Sequence, residues 1–408
     1  MNISSIIEFF KTQFKGDKVI WRILFLLSII SLIAVYGSIS LIAINGNENN
    51  TTSYLIKQAL TLSVGISIAF LVHKIDYILI YKLANLLVLC AVLFLALTFS
   101  SAFAVSANDA SRWIQIPGIG IQFQPSEFAK IALIIYITKT LSIHQNNLHN
   151  PKKALYPILI ITALISSMIL ISNFSTSFFI IMTVFILLII GRVPAKHILI
   201  LTGSGLVMVL VMGTIIFKNP ELFNRGYTWQ NRIVSFVPEL APYASGYDEN
   251  KGQELIKKID NYQVTQAKIA IAEGGIIGKA PGNSNQKYRL SQAYCDFIYA
   301  IIIEDYGLFG GIVIILLYLV ILYRAAFIVR KCNYTFPALL VIGLTFSLVF
   351  QAFIHMGVAV NLLPATGQPL PIISHGASSL LTTSISFGII LGVSRKIESE
   401  NSLKKQEQ

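Results

Sequence analysis

The sequence predicts an all-α integral membrane protein with ten transmembrane helices and a large extracytoplasmic loop between helices 7 and 8. Three observations predict it. Of the 408 residues 55% are hydrophobic and only 12% charged, whereas soluble domains carry roughly 45–50% and about 25%. Apolar stretches recur along the chain at lengths near the roughly 20 residues a helix needs to cross a hydrocarbon core. Basic residues gather at alternate ends of those stretches, as expected of loops retained in the cytoplasm.

The spans read as residues 19–44, 54–72, 78–100, 125–138, 154–172, 176–190, 198–217, 297–329, 336–360 and 373–393. The first follows Lys11, Lys15 and Lys18 and contains Arg22. Its length and the lack of a small-residue cleavage site favour a retained anchor over a secretion signal. With this end inside, Lys74, Lys82, Lys139, Lys152, Lys153, Arg192, Lys196, Arg324, Arg330 and Lys331 fall on the same side, as do Arg395, Lys396, Lys404 and Lys405. Both termini are then cytoplasmic. The chain divides into a cytoplasmic segment 1–18, a membrane domain 19–394 containing the outer loop 218–296, and a cytoplasmic tail 395–408. The net charge of +12 follows from this topology, with no need for nucleic acid as a partner.

Cys90, Cys295 and Cys332 support neither a disulfide framework nor a thiolate metal site. The histidines show no zincin spacing and no serine stands in a nucleophile elbow. In the outer loop, residues 254–272 space Leu255, Ile256, Ile259, Val264 and Ile271 unevenly, which fits a helix resting on the membrane or core, or a loop. The segment GGIIGKAPGNS at 274–284 can turn tightly or bring amides to an anion, but is neither a Walker loop nor a dinucleotide fingerprint.

Charges near apolar spans carry the chemistry. Glu127 and Lys130 in QFQPSEFAK lie on one helix face, either as a structural pair or lining a polar cavity, with Pro125 in the first turn. Arg112 and Trp113, in what reads as an outer or interfacial reentrant loop, suit phosphate contact or interface anchoring, and Lys287 and Arg289 share that outer surface. Asp296 stands at the outer mouth of span eight. Partial desolvation there raises a carboxylate toward a useful proton acceptor, and nearby cations oppose this. Glu304 and Asp305 form a second acidic microsite, line a cavity or join structural networks. In NLLPATGQPLPIISHGASS, Gln368, Ser374, His375, Ser378 and Ser379 offer hydrogen bonds to sugar hydroxyls or phosphate, or the segment is a rigid turn. A weakly held divalent cation, magnesium or manganese, at carboxylates such as Asp296 and Glu304 stays open.

The motifs SRWIQI, QPSEFAK, NYQVTQAKIAIAEGGIIGKAPGNSNQK, DFIYAIIIEDYG and LLPATGQPLPIISHGASS together resemble the SEDS family (FtsW/RodA/SpoVE), nearest its FtsW-type branch. The resemblance implies a ten-helix peptidoglycan glycosyltransferase of the bacterial cytoplasmic membrane, at the division septum. It would polymerise lipid II beside a monofunctional class B penicillin-binding transpeptidase and other divisome proteins, without a tightly bound cofactor. By the same resemblance Asp296 matches the acid given the main catalytic role. Arg112, Trp113, Gln124, Ser126, Glu127 and Lys130 match the first motif region, and Gln286 and Lys287 the end of the long loop. Pro369, Pro371, Ser374, Gly376, Ser378 and Ser379 match the late loop. Asp296 is then expected to activate an acceptor 4-hydroxyl in one inverting displacement, with Arg112, Lys287 or a divalent ion steadying the pyrophosphate.

The chain departs from the family pattern at Ser172, Asn173 and Ser175, usually Pro, Asp and Gly, and at Ser291, Gln292, Tyr294 and Cys295, usually Pro, Glu, His and Thr. Lys268 and Ala377 are further departures. An elongation polymerase, a catalytically weak division scaffold and a lipid II flippase or other transporter are the alternatives. The chemistry requires Asp296 to share a cavity with the charged groups at spans three and four.

Overall fold

Away from water a backbone must satisfy its own polar groups, so each apolar run is expected to be helical. A computed structural model describes residues 13–38, 51–100, 103–107, 110–115, 122–222, 226–237, 240, 260–290 and 293–406. Twelve α-helices lie there: α1 (Lys18–Ser38), α2 (Thr51–His73), α3 (Tyr77–Leu97), α4 (Pro125–Ile143), α5 (Leu155–Ser172), α6 (Phe174–Ile190), α7 (Ala195–Lys218), α8 (Gly226–Phe236), α9 (Asp260–Gly274), α10 (Ile298–Arg330), α11 (Thr335–Ala359) and α12 (Ala377–Gln406). The helix expected over 254–272 is α9, and positions 254–259 lie outside the described residues.

Eight of these helices are long and apolar enough to cross a membrane: α1, α2, α3, α5, α7, α10, α11 and α12. Two of the ten predicted spans fall short on those measures. α4 carries Glu127, Lys130 and Lys139, and α6 is 17 residues long. The last helix continues past Ser394 to Gln406, so positions 395–406 are helical.

Caps follow from sequence. Asp76 accepts from Ile78 N at 3.1 Å to start α3, and Asn173 accepts from Thr176 N at 3.3 Å to start α6. Asn and Asp are equivalent N-caps, so the Asn173 departure keeps its local role. Pro125 occupies the first turn of α4, where its missing N–H is harmless.

The core is built around α11, α12 and the middle of α4, which are mostly buried. α7 is the contrast, since only Ile216 of its residues is buried and Leu199 is 71% exposed. At the start of α1 Asp17, 3% exposed, caps the helix through Val19 N at 2.9 Å and receives Arg324 Nε at 2.9 Å and Nη2 at 2.5 Å. One carboxylate thereby ties the start of α1 to α10.

Two elements differ from expectation. The segment around Arg112 and Trp113, expected as a reentrant loop, is a small antiparallel sheet of β1 (Ala104–Ala107), β2 (Ala110–Gln115) and β3 (Gln122–Phe123), in the order β1-β2-β3. Trp113 pairs with Val105, and Ile114 with Phe123. Strands this short carry too little two-residue alternation to be recognised in sequence. The eighth span is also not one straight helix, because α10 breaks at Gly307 (φ 68°, ψ −173°).

The break is a fold-back. A Cβ at Gly311 would lie 3.0 Å from both Ile303 Cγ1 and the Tyr299 hydroxyl, whereas a straight helix would separate these levels by about 12 and 18 Å. Residues 298–306 therefore return alongside the first turns of the long portion of α10. Backbone groups freed by the break find partners in the glycine-rich loop. Leu308 N donates to Gly275 O at 2.9 Å, and Lys279 N to Glu304 O at 3.0 Å. The approach is so close that a Cβ at Gly274, Gly278 or Gly307 would collide with backbone of the other segment, and Gly275 and Gly282 instead take positive φ in open space.

Gly307→Ala should lower stability by about 1–3 kcal/mol or more, through its positive φ and lost space. Thermal unfolding in detergent measures this, and an unchanged midpoint would contradict the fold-back.

Candidate functional site

Asp296 is held by the late loop. Just upstream, Cys295 O accepts from Ser374 Oγ at 2.7 Å and Tyr294 O accepts from His375 N at 3.0 Å. Ser374 Oγ in turn accepts from Leu370 N at 2.8 Å. Gly367, at φ 65°, faces the carboxylate so closely that a Cβ there would lie 3.5 Å from Asp296 Oδ2. Asp296 is half-buried. Burial raises its pKa above the ordinary carboxylate value, opposed by a hydrogen bond from the Cys295 thiol and by the charge of Arg232 on α8. Burial and the neighbouring carboxylate push the Cys295 thiol well up, so it stays protonated as a donor.

The late loop is itself pinned at membrane depth. Ser31 Oγ donates to Ile373 O at 2.8 Å and accepts from Gln58 Nε2 at 2.8 Å, and Gln58 Oε1 lies 2.6 Å from His375 Nδ1. Tyr318 OH donates to Pro371 O at 2.5 Å. Ser31 stands about 20 Å along α1 from Lys18, so this loop enters the helical body, where side chains must replace water as backbone partners.

Glu127 and Lys130 pair at 2.9 Å with both side chains buried. They also line a small cavity with Ser347, Gln351, Thr382, Thr383 and Ser386, so pairing and cavity lining coexist. Lys130 Nζ donates to Gln351 Oε1 at 2.9 Å and sits 5.1 Å from the Phe179 ring centroid. Asp296 does not line this cavity. A chain of contacts nevertheless links the two centres: Glu127 to Lys130, Lys130 to Gln351, Gln351 Nε2 to Pro369 O at 2.9 Å, and along the loop to Gly367 beside Asp296.

The other motif residues are placed around these two centres. Ser378 Oγ accepts from Gln124 N at 3.2 Å, and Gln124 Nε2 donates to Ser126 Oγ at 3.2 Å. Ser379 is buried on the same turn of α12. Arg112 Nε donates to Ser172 O at 3.0 Å, which joins β2 to the turn before α6. Trp113 is half-buried in that sheet.

Glu304 is a structural hub. It is 0% exposed and accepts from Asn285 N at 2.8 Å, Lys279 Nζ at 3.2 Å, Gln286 N and Ser284 Oγ. Lys287 Nζ donates to Gly282 O at 2.5 Å, and Asp305 Oδ2 accepts from Gly282 N at 3.4 Å. Glu304, Asp305, Gln286 and Lys287 therefore shape the glycine-rich loop over the fold-back and make no recorded bond to Asp296. Arg232 and Gln351 were missed in sequence, whereas Gln368 was among the late-loop residues the sequence singled out. A glutamine within an apolar helix was the available signal for Gln351, whereas nothing local marked Arg232.

A resident metal does not fit this donor set. Among the described residues no three His, Cys, Asp or Glu side chains converge, and Glu304 is already engaged by four donors.

Residues 17–399 match the family described as cell cycle protein, FtsW/RodA/SpoVE. A probable peptidoglycan glycosyltransferase FtsW of Geobacter metallireducens is 30% identical over 388 residues, 94% of this chain and 95% of that protein. Its namesake in Nitrosococcus halophilus is 31% identical over 362 residues, 88% and 87% of the two chains. Among solved structures, a chain of a peptidoglycan synthase complex that coordinates polymerization and crosslinking superposes with a TM-score of 0.69 at 23% identity, over 94% of this chain and 98% of that one. The rod shape determining protein RodA of Thermus thermophilus gives a TM-score of 0.63 at 20% identity, over 93% and 97%. The solved structures share the fold, and the match along nearly the whole sequence makes this chain a multi-pass membrane protein of the FtsW/RodA/SpoVE family.

Proposed function

We propose that this chain is a peptidoglycan glycosyltransferase, polymerising lipid II on the outer face of the bacterial cytoplasmic membrane during division. The observation that carries the reading is the Asp296 carboxylate: half-buried, raised in pKa and fixed against the late loop. Relatives named as peptidoglycan glycosyltransferases support it. In this reading α4 and α6 also span, giving ten spans with both termini cytoplasmic. The partner is a monofunctional class B penicillin-binding transpeptidase, in keeping with the crosslinking complex that shares this fold, together with other divisome proteins at the septum.

Asp296 takes the proton of the acceptor N-acetylglucosamine 4-hydroxyl as that oxygen attacks C1 of the donor N-acetylmuramic acid. The C1–O bond to the pyrophosphate breaks with inversion, releasing undecaprenyl diphosphate, and no glycosyl-enzyme forms. Diphosphate is a competent leaving group, so no second carboxylic acid is needed to protonate it, unlike many glycoside hydrolases. The charge of Arg232 reaches Asp296 and suits the departing pyrophosphate, and Arg112 and Lys287 are candidates for headgroup contacts. Because the described donors do not fit a resident divalent ion, no step is assigned to magnesium or manganese.

The test is polymerisation of purified lipid II by the chain with its transpeptidase. Asp296→Asn should cut turnover by roughly 10²–10⁴-fold, the usual contribution of a general base, with complex assembly intact. Full polymerisation by that variant would overturn the assignment. Lipid II flux without polymer would favour a flippase, and assembly without synthesis by the native pair would favour a scaffold. The pH profile carries a sign. A base acts only when ionised, and burial raises the Asp296 pKa, so kcat/KM should fall as pH drops through a midpoint above the ordinary aspartate value. An acid limb at or below that value would contradict the raised pKa.

A further inference from the structure

Gln351 and His355 stand one turn apart on α11, 3% and 1% exposed. Four-residue spacing puts them on one face of the helix, and polar side chains within an apolar helix mark a functional demand. His355 Nδ1 lies 2.8 Å from Gln368 O. A carbonyl only accepts, so this nitrogen carries the proton and donates. Gln351 Nε2 donates to Pro369 O at 2.9 Å. From the other side, Gln368 Nε2 donates to Thr176 Oγ1 at 2.8 Å. His355 Nε2 has no hydrogen-bond partner among the described residues, which leaves the bond to Gln368 as the polar role of this side chain.

Three side chains from two helices thus grip residues 368 and 369. The residue next to this grip is Gly367, whose left-handed backbone lies against Asp296. The same loop holds Ile372 at φ 67°, a conformation that strains a β-branched residue and persists only where its surroundings impose it. A loop under strain relaxes when its restraints are removed.

We propose that Gln351 and His355 form a two-point latch holding the Gly367 turn against Asp296, which makes both of them positioning residues for glycosyl transfer. The kinetic part rests on the glycosyltransferase reading. Through Gln351 Oε1 the latch also takes the Lys130 ammonium, and with it Glu127, so the buried ion pair of α4 fixes the side chain that fixes the turn.

The experiment uses the full chain in complex with its transpeptidase and three variants, His355→Ala, His355→Asn and His355→Gln. The Asn amide nitrogen can take the place of Nδ1, and the longer Gln presents its donor elsewhere. Turnover of lipid II should fall on the order of 10- to 100-fold in the Ala and Gln variants, as expected for a reacting group displaced by about 1 Å, with KM little changed and activity largely restored by Asn. In the Ala variant water reaches Asp296, so the acid limb of kcat/KM moves to lower pH. A merely structural histidine would leave that limb in place.

A second readout needs no activity. Maleimide labelling of Cys295, resolved from Cys90 and Cys332 by peptide mass spectrometry, should be several-fold faster in His355→Ala and Gln351→Ala than in the native chain. A folded His355→Ala protein with native turnover, acid limb and labelling rate overturns the latch. Should that variant not fold, equal turnover and equal labelling in the Asn and Gln variants overturn it. A native chain that makes no polymer counts against the glycosyltransferase reading instead, while the labelling rates still decide the latch.

Discussion

The half of this molecule that carries Asp296 depends on satisfying broken backbone away from water. A helix fulfils its own hydrogen bonds, but a chain that turns inside an apolar body leaves amides and carbonyls that cost several kcal/mol each when unpaired. Two such turns stand out among the described residues, the fold-back at Gly307 and the late loop from Gly367 to His375. The first is closed mostly by backbone, as the glycine-rich loop lends carbonyls to α10. The second is closed mostly by side chains: Ser31, Tyr318, Gln351, His355 and Ser374 each bind one of its carbonyls or that of Cys295 beside it.

That difference places the chemistry. A loop closed by glycine backbone tolerates little but glycine, and the Gly278 and Gly307 contacts are of that kind. A loop held by side chains from several helices can carry a strained residue and present a reactive group at a fixed position. Asp296 lies beside this second loop. Its burial raises its proton affinity, in the direction the proposed base needs, and the Cys295 thiol and Arg232 oppose that rise. Glu304, also a carboxylate and more deeply enclosed, accepts from four donors and holds the glycine-rich loop.

Much of this was legible in the sequence, because hydropathy reports directly on the solvent. Most of the apolar runs became helices within a few residues of their expected limits, the last continuing well past its expected end to Gln406, and the pairing of Glu127 with Lys130 followed from helix geometry alone. Long-range placement was not legible. Nothing local told that residues 298–306 double back, since the run IYAIIIEDYGLFGG is apolar on both sides of the break and only Gly307 marks it. The sheet around Trp113 was hidden by strands of four, six and two residues. Gln351 and His355 are separated from Asp296 by more than fifty positions, and their meeting is a property of the packed bundle rather than of any motif. The departure at Asn173 was readable in retrospect as a cap-for-cap exchange, whereas Cys295 became interpretable only once its thiol was placed beside the acid.

The central claim is spatial: the acid before α10 lies on the late loop and not out among lipid-facing helices. The most direct measurement is an experimental density map of the chain with its transpeptidase, read for the separation of the Asp296 carboxylate from the Gly367 backbone. The account predicts contact, within about 4 Å, with Gln351 and His355 bonded to the two residues that follow. A map that parts Asp296 from this loop by a packed helix, or turns its carboxylate toward the cytoplasm, would contradict it.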